Sequence, residues 1–175
     1  MSAMFKVIVF DLETTGLDPL DDMILEIGAI PILNGEIRRD EGFERFVNPG
    51  IPIPAHITGI NGITDEMVRD APFIEKVLPE FLSYIGSDPL VAHNAPFDIG
   101  FLTHFMKKCG YGRLQNAVID TKELSKKCFP RSHRHNLDTL LSRLGISSSA
   151  ENRHRSMGDA YLTARAYLSM RSRLN

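Results

Sequence analysis

The apolar residues of this chain fall first in long runs and later at helical spacing. Residues 5–13 (FKVIVFDLE) and 23–33 (MILEIGAIPIL) are nearly continuous apolar stretches, the pattern of strands covered on both faces. Asn34-Gly35 follows the second run and is a strong hairpin signal, so a third strand within residues 36–47 is expected to return antiparallel. The proline- and glycine-rich segment NPGIPIPAHITGING, residues 48–62, reads as a loop. Thr64-Asp65-Glu66 opens a short helix, and Phe73, Val77, Phe81 and Leu82 space a longer one over 73–85. Pro89 to Ala92 reads as a short buried strand, 96–109 as an amphipathic helix that Gly110 can cap, and Ala117 to Ile119 as another strand, with Asp120 placed to cap the helix after it. Asn136 caps a helix ending at Gly145, and a last helix runs from about Ser156 to Met170. A meander followed by strands alternating with helices predicts an α/β domain, a mixed five-stranded sheet flanked by helices, with residues 1–175 forming one unit.

Composition changes this picture little. Hydrophobic residues make up 43% of the 175 residues and charged residues 24%, an ordinary globular mixture. No secretory leader is read in MSAMFKVIVF, and no apolar stretch is long enough for a membrane span. Cys109 and Cys128 lie 19 apart without a partner motif, so neither zinc nor a disulfide is expected and a reduced, cytoplasmic setting fits. Charge is more informative. Residues 1–100 hold 6 Lys+Arg against 17 Asp+Glu, a balance of −11, while residues 101–175 hold 14 against 5, a balance of +9. Either two solvated faces differ, or an acidic pocket sits beside a basic approach surface suited to a polyanion.

The candidate chemistry begins at FDLETTGLD, where Asp11 and Glu13 stand two apart at the end of the first apolar run and leave the strand on the same face. Buried carboxylates are costly unless positive charge meets them. In VAHNAPFDIGFL, Pro96 suits the first turn of a helix, which places Asp98 among the free N–H groups of its N-terminus. In RHRSMGDA, Asp159 lies in the first turn of the last helix, with Ser156 read as its N-cap. His154, five residues earlier, would point about 140° away on a regular helix but can share a pocket with Asp159 if it precedes the helix. Each acid alone is equally explained by turn contacts or by complementing a helix dipole.

In combination, D-x-E-T-T-G, H-N-A-x-F-D and H-x-x-x-x-D-A resemble the DnaQ-like, or DEDDh, 3′–5′ exonucleases, and are similar to the proofreading epsilon subunit of bacterial DNA polymerase III. The resemblance runs from Phe10 to about Leu168. It implies a ribonuclease H-like fold, two divalent metal ions (Mg²⁺ or Mn²⁺), and release of nucleoside 5′-monophosphates from a 3′ end. It implies that Asp11, Glu13, Asp98 and Asp159 are metal ligands and that His154 is the general base. It also implies that Thr14, Leu17 as a wedge, and Thr58, Gly59 and Ile60 of the ITGI loop surround the terminal nucleotide, where Gly59 lets backbone come close. Phe97 is read either as a stacking platform or as core, and Asn94 as a pocket hydrogen-bonder or a helix cap. The run Arg131 to His135 is read as a phosphate contact or a solvated loop. The implied partner is a single-stranded or frayed 3′ end of DNA. An RNA 3′-processing exonuclease of the RNase T or oligoribonuclease kind, and a polymerase-associated binding module, stand as alternatives. With the last helix ending close to Asn175, no polymerase-binding tail is expected, so attachment to a polymerase subunit and independent action are both open.

Overall fold

Nine residues of uninterrupted strand set the plan of the molecule. In the computed structural model, which describes residues 5–174, strand β1 (Lys6–Thr14) lies at the middle of a mixed sheet. The first four residues, part of the stretch read for a leader, and Asn175 lie outside the described residues. Strand β2 (Ile24–Leu33) runs antiparallel to β1 along its whole length, from Lys6↔Leu33 to Glu13↔Glu26 and Thr14↔Ile24. On the other side β1 pairs in parallel with β5 (Leu90–Ala92), and β5 with β6 (Val118–Asp120).

The returning third strand is broken in two. β3 (Glu36–Ile37) and β4 (Phe43–Phe46) both pair with β2, and a single 3₁₀ turn, Arg39–Glu41, separates them, so the sheet has six strands rather than five. The cause lies in β2. The carbonyl of Pro31 accepts from the Arg38 N–H at 2.8 Å, so the proline nitrogen points to the same side and has no proton to offer the returning chain.

Among the described residues seven helices cover the sheet: α1 (Ala55–Asn61), α2 (Asp65–Val68), α3 (Ile74–Ile85), α4 (Ala95–Lys108), α5 (Thr121–Cys128), α6 (Leu137–Leu144) and α7 (Ser156–Leu174). The expected caps hold at Asp120 and Asn136, and Thr64 caps the short helix it opens, whereas Ser156 is the first helical residue of α7 rather than its N-cap. Thr64 accepts from the Met67 N–H, Asp120 from Lys122 and Asn136 from Thr139. Segment 48–62 is not all loop, because Ala55–Asn61 forms a helix. Gly62 closes it in the left-handed region (φ 72°) while donating to the Thr58 carbonyl at 2.8 Å, and the Thr58 hydroxyl donates to the Ile63 carbonyl at 2.7 Å.

Side chains alternate along β1, so its two faces belong to different helix layers. Ile8, Phe10 and Leu12 pack with Phe81 of α3 and Phe101 and Phe105 of α4. Val7 and Val9 face Ala160, Ala164 and Tyr167 of α7. Asp11 and Glu13 continue the second face beyond the last valine. No helix among the described residues is long and apolar enough to cross a membrane.

Candidate active site

Three carboxylates converge where β1 leaves the core. Asp11, Glu13 and Asp159 each present an oxygen, all within 4.8 Å of one another. The two strand acids reach this point because they share the face of Val7 and Val9, and α7 brings Asp159 to it because that same face packs on Ala160 and Ala164. Asp98, only 2% exposed, comes from the first turn of α4 on the other helix layer. Its Oδ1 accepts the Leu12 N–H at 3.0 Å, which ties α4 to the peptide between Asp11 and Glu13.

Burial and repulsion from neighbouring acids push Asp11, Glu13 and Asp98 toward protonation. Burial raises Asp11 well above the ordinary carboxylate range, and the charges of Asp98, Glu13 and Asp159 add to the effect. Glu13 is pushed up to about 8, first by burial and then by Asp159, Glu26 and Asp98, while a hydrogen bond from Asn61 Nδ2 at 3.2 Å opposes the shift. Asp98 is likewise raised to about 8 by burial, against the pull of its backbone hydrogen bonds. Hard divalent cations prefer oxygen donors, so a close set of buried carboxylates fits such an ion, whose charge would reverse these shifts.

The positive charge actually facing the cluster is an arginine. Arg153 Nη1 donates to Asp159 Oδ1, and Arg153 Nη2 pairs with Asp138 of α6 at 2.8 Å. His154 precedes α7, as expected, on a turn with φ 61°, and its backbone N–H lies 3.3 Å from Asp159 Oδ1. Its side chain, however, is exposed to solvent rather than enclosed with the carboxylates.

The family model RNase_T, described as Exonuclease, matches residues 8–167, nearly the whole chain. The chain belongs to the exonuclease family. This exonuclease domain is 44% identical over 169 residues to "DNA polymerase III PolC-type" of Caldanaerobacter subterraneus subsp. tengcongensis, an alignment covering 97% of the chain and 12% of that protein. It is 45% identical over 165 residues to a "DNA polymerase III subunit epsilon-like protein" of Rhodobacter capsulatus, covering 93% of the chain and 23% of the relative. The domain thus spans only about a tenth to a quarter of the length of these relatives. Among solved structures it is similar to exonuclease X in complex with 5′ overhanging duplex DNA, with a TM-score of 0.78, 26% identity, and coverage of 95% of this chain and 92% of that one. The ribonuclease H-like α/β arrangement expected from the motifs is the fold of the domain.

The other residues singled out from the sequence divide into two groups. Thr14 is buried at the strand exit, and its hydroxyl donates to the Gly16 carbonyl at 2.6 Å, whereas Leu17 is 83% exposed. Thr58, Gly59 and Ile60 sit on helix α1 rather than in a loop, with Ile60 exposed and open space where a Gly59 side chain would be, so no close approach within the domain requires that glycine. Asn94 does not cap α4 with its side chain. Its backbone adopts φ 64°, its N–H donates to Asp120 Oδ1 at 2.9 Å, and its Oδ1 accepts from Lys122 Nζ at 3.1 Å. Phe97 is half-buried, its ring 5.2 Å from that of Phe101. In the basic run, His135 turns inward, with Nδ1 2.8 Å from Ser125 Oγ and Nε2 2.9 Å from the Ser132 carbonyl.

Three residues at the site were not singled out from the sequence. Asn61 follows the ITGI stretch directly and was hidden by reading that segment as loop. Arg153 offers no local signal, because Arg155 stands nearer Asp159 in the chain and Asp138 lies 15 residues away. Glu26, the lone charge inside the apolar run MILEIGAIPIL, carried the plainest signal.

Proposed function

We propose that this domain is a metal-dependent 3′–5′ exonuclease that removes nucleoside 5′-monophosphates from a single-stranded or frayed 3′ end of DNA, in a proofreading role. The observation that carries the reading is the convergence of Asp11, Glu13 and Asp159 within 4.8 Å, with Asp98 buried beneath them. These four acids would hold two divalent ions, Mg²⁺ or Mn²⁺. When bound, such ions lower the pKa of the attacking water and stabilise charge on the entering and leaving oxygens. His154, on the turn before α7, takes the proton from the attacking water as general base, a role imidazoles commonly fill. Thr14, the exposed Leu17, and Thr58, Gly59 and Ile60 of α1 would border the terminal nucleotide, with Asn94 and Phe97 at the start of α4. Likeness to polymerase III proteins supports association with a DNA polymerase and a cytoplasmic place of action, with residues 1–175 forming a single catalytic unit.

The test is a comparison of matched 5′-labelled single-stranded DNA and RNA with Mg²⁺, Mn²⁺ or EDTA, with Glu13→Ala as control. The expected result is a ladder shortening from the 3′ end that requires metal, runs faster on DNA and disappears in the variant. Faster shortening of RNA would replace DNA by RNA as substrate, and intact substrates in all lanes would overturn the reading.

A further inference from the structure

We propose that Glu26 and Arg155 form a positioning pair that sets Asp159 and His154 against Asp11 and Glu13, an inference that rests on the exonuclease reading above. Glu26 has no exposed surface and sits on β2 directly across from Glu13 of β1. Its carboxylate is filled by donors from one short stretch of chain. Arg155 Nε donates to Oε2 at 3.0 Å, Arg155 Nη2 to Oε1 at 2.5 Å, and the Ser156 backbone N–H to Oε2 at 3.0 Å. The Arg155 guanidinium also lies over the Phe46 ring of β4, 5.0 Å from its centroid. The first residue of α7 and the residue after His154 are therefore fastened to the strand beside the acidic cluster.

A second feature fixes the same point. At Gly28, two residues along β2, a Cβ would stand 2.5 Å from Met157 N and from the Ser156 carbonyl carbon. The helix start thus rests on bare strand backbone, with no side chain between them. From this anchor, Asp159 lies one turn forward and His154 one residue back.

Bulk stability is a weak reason for such a pair. A buried ion pair is often replaceable by apolar residues of similar volume without loss. Here Glu26 instead adds a negative charge beside Glu13 and helps to raise it. What the pair supplies is direction: a two-pronged guanidinium–carboxylate contact fixes the angle at which α7 meets the sheet.

The experiment compares wild type with Glu26→Gln and Arg155→Lys. The lysine keeps the charge but loses the fork. Thermal unfolding by circular dichroism checks the fold, calorimetric titration gives the Mn²⁺ affinity, and 5′-labelled DNA gives kcat and KM. Partners that orient metal ligands typically cost about 10–100-fold in affinity or activity when changed. Folded Arg155→Lys and Glu26→Gln are expected to bind Mn²⁺ weaker by that order, with kcat lowered in step and KM for DNA unchanged. Should Glu26→Gln fail to fold, Arg155→Lys decides alone. Wild-type Mn²⁺ affinity and kcat in a folded variant, with only the melting temperature lowered, would make the pair a stability contact and overturn the proposal. If the wild type cleaves nothing, the exonuclease reading fails separately, and the Mn²⁺ affinities still judge the pair.

Discussion

Arg153 and His154 stand side by side on the turn before α7, yet of their side chains only the arginine's reaches the carboxylates. Arg153 spans Asp159 and Asp138 and so competes with any cation that Asp159 would bind. A partly exposed ion pair contributes up to roughly 1 kcal/mol, so Arg153→Gln should tighten Mg²⁺ binding by up to about fivefold in a calorimetric titration. Unchanged or weaker binding would mean that the arginine does not compete. His154→Ala should leave metal affinity near wild type while kcat falls by about 10²–10⁴, as loss of a general base predicts. Asp11→Asn should instead weaken metal binding itself. Asp11 and Glu13 were legible as a pair because strand periodicity alone puts them on one face. The roles of Asn61, Glu26 and Arg153 were not legible, since each depends on a residue 48 or 129 positions away, or on a turn whose shape no local pattern sets.

Elements were legible where one local signal sufficed. The caps at Thr64, Asp120 and Asn136, and the covered runs of β1 and β2, follow from side chains a few residues apart. Two misreadings came from competing signals. Prolines and glycines in 48–62 suggest loop, but Pro54 stands just before a helix, where its missing N–H breaks no helical bond, and Gly62 just after it, in the left-handed position that glycine favours. The returning strand reads as continuous from its own residues, and the reason it breaks, Pro31, lies on its neighbour. The close seat of α7 on β2 gives a prediction at this scale. Gly28→Ala forces backbone apart rather than moving a flexible side chain, so it should cost about 1–3 kcal/mol in chemical denaturation, the usual range for overpacking. Wild-type stability in that variant would show that the contact yields freely.

For the molecule as a whole, the acidic first hundred residues supply Asp11 and Glu13 of the three clustered acids, and Asp98 behind Leu12, while the basic remainder supplies Asp159 together with Arg153 and Arg155. Without metal this arrangement makes stability depend on pH in a definite direction. Glu13 and Asp98 titrate near 8 in the folded protein, against ordinary values of 4.5 and 3.8. Between those limits the folded chain holds more protons than the unfolded one, so its stability is fully present at low pH and is lost as pH rises through about 8. In EDTA the melting temperature should be lower at pH 9 than at pH 5.5, and Mg²⁺ should narrow the gap. A metal-free melting temperature that rises across this range would contradict the assignment. The divided third strand has a consequence of another kind. One border of the sheet is made of strands of two and four residues, and the other of a strand of three. Long, flat borders invite neighbouring molecules to add their own strands and grow into aggregates, whereas short, interrupted ones give them little to copy. By denying one hydrogen bond to the returning chain, Pro31 also helps to keep separate copies of this protein from joining sheet to sheet.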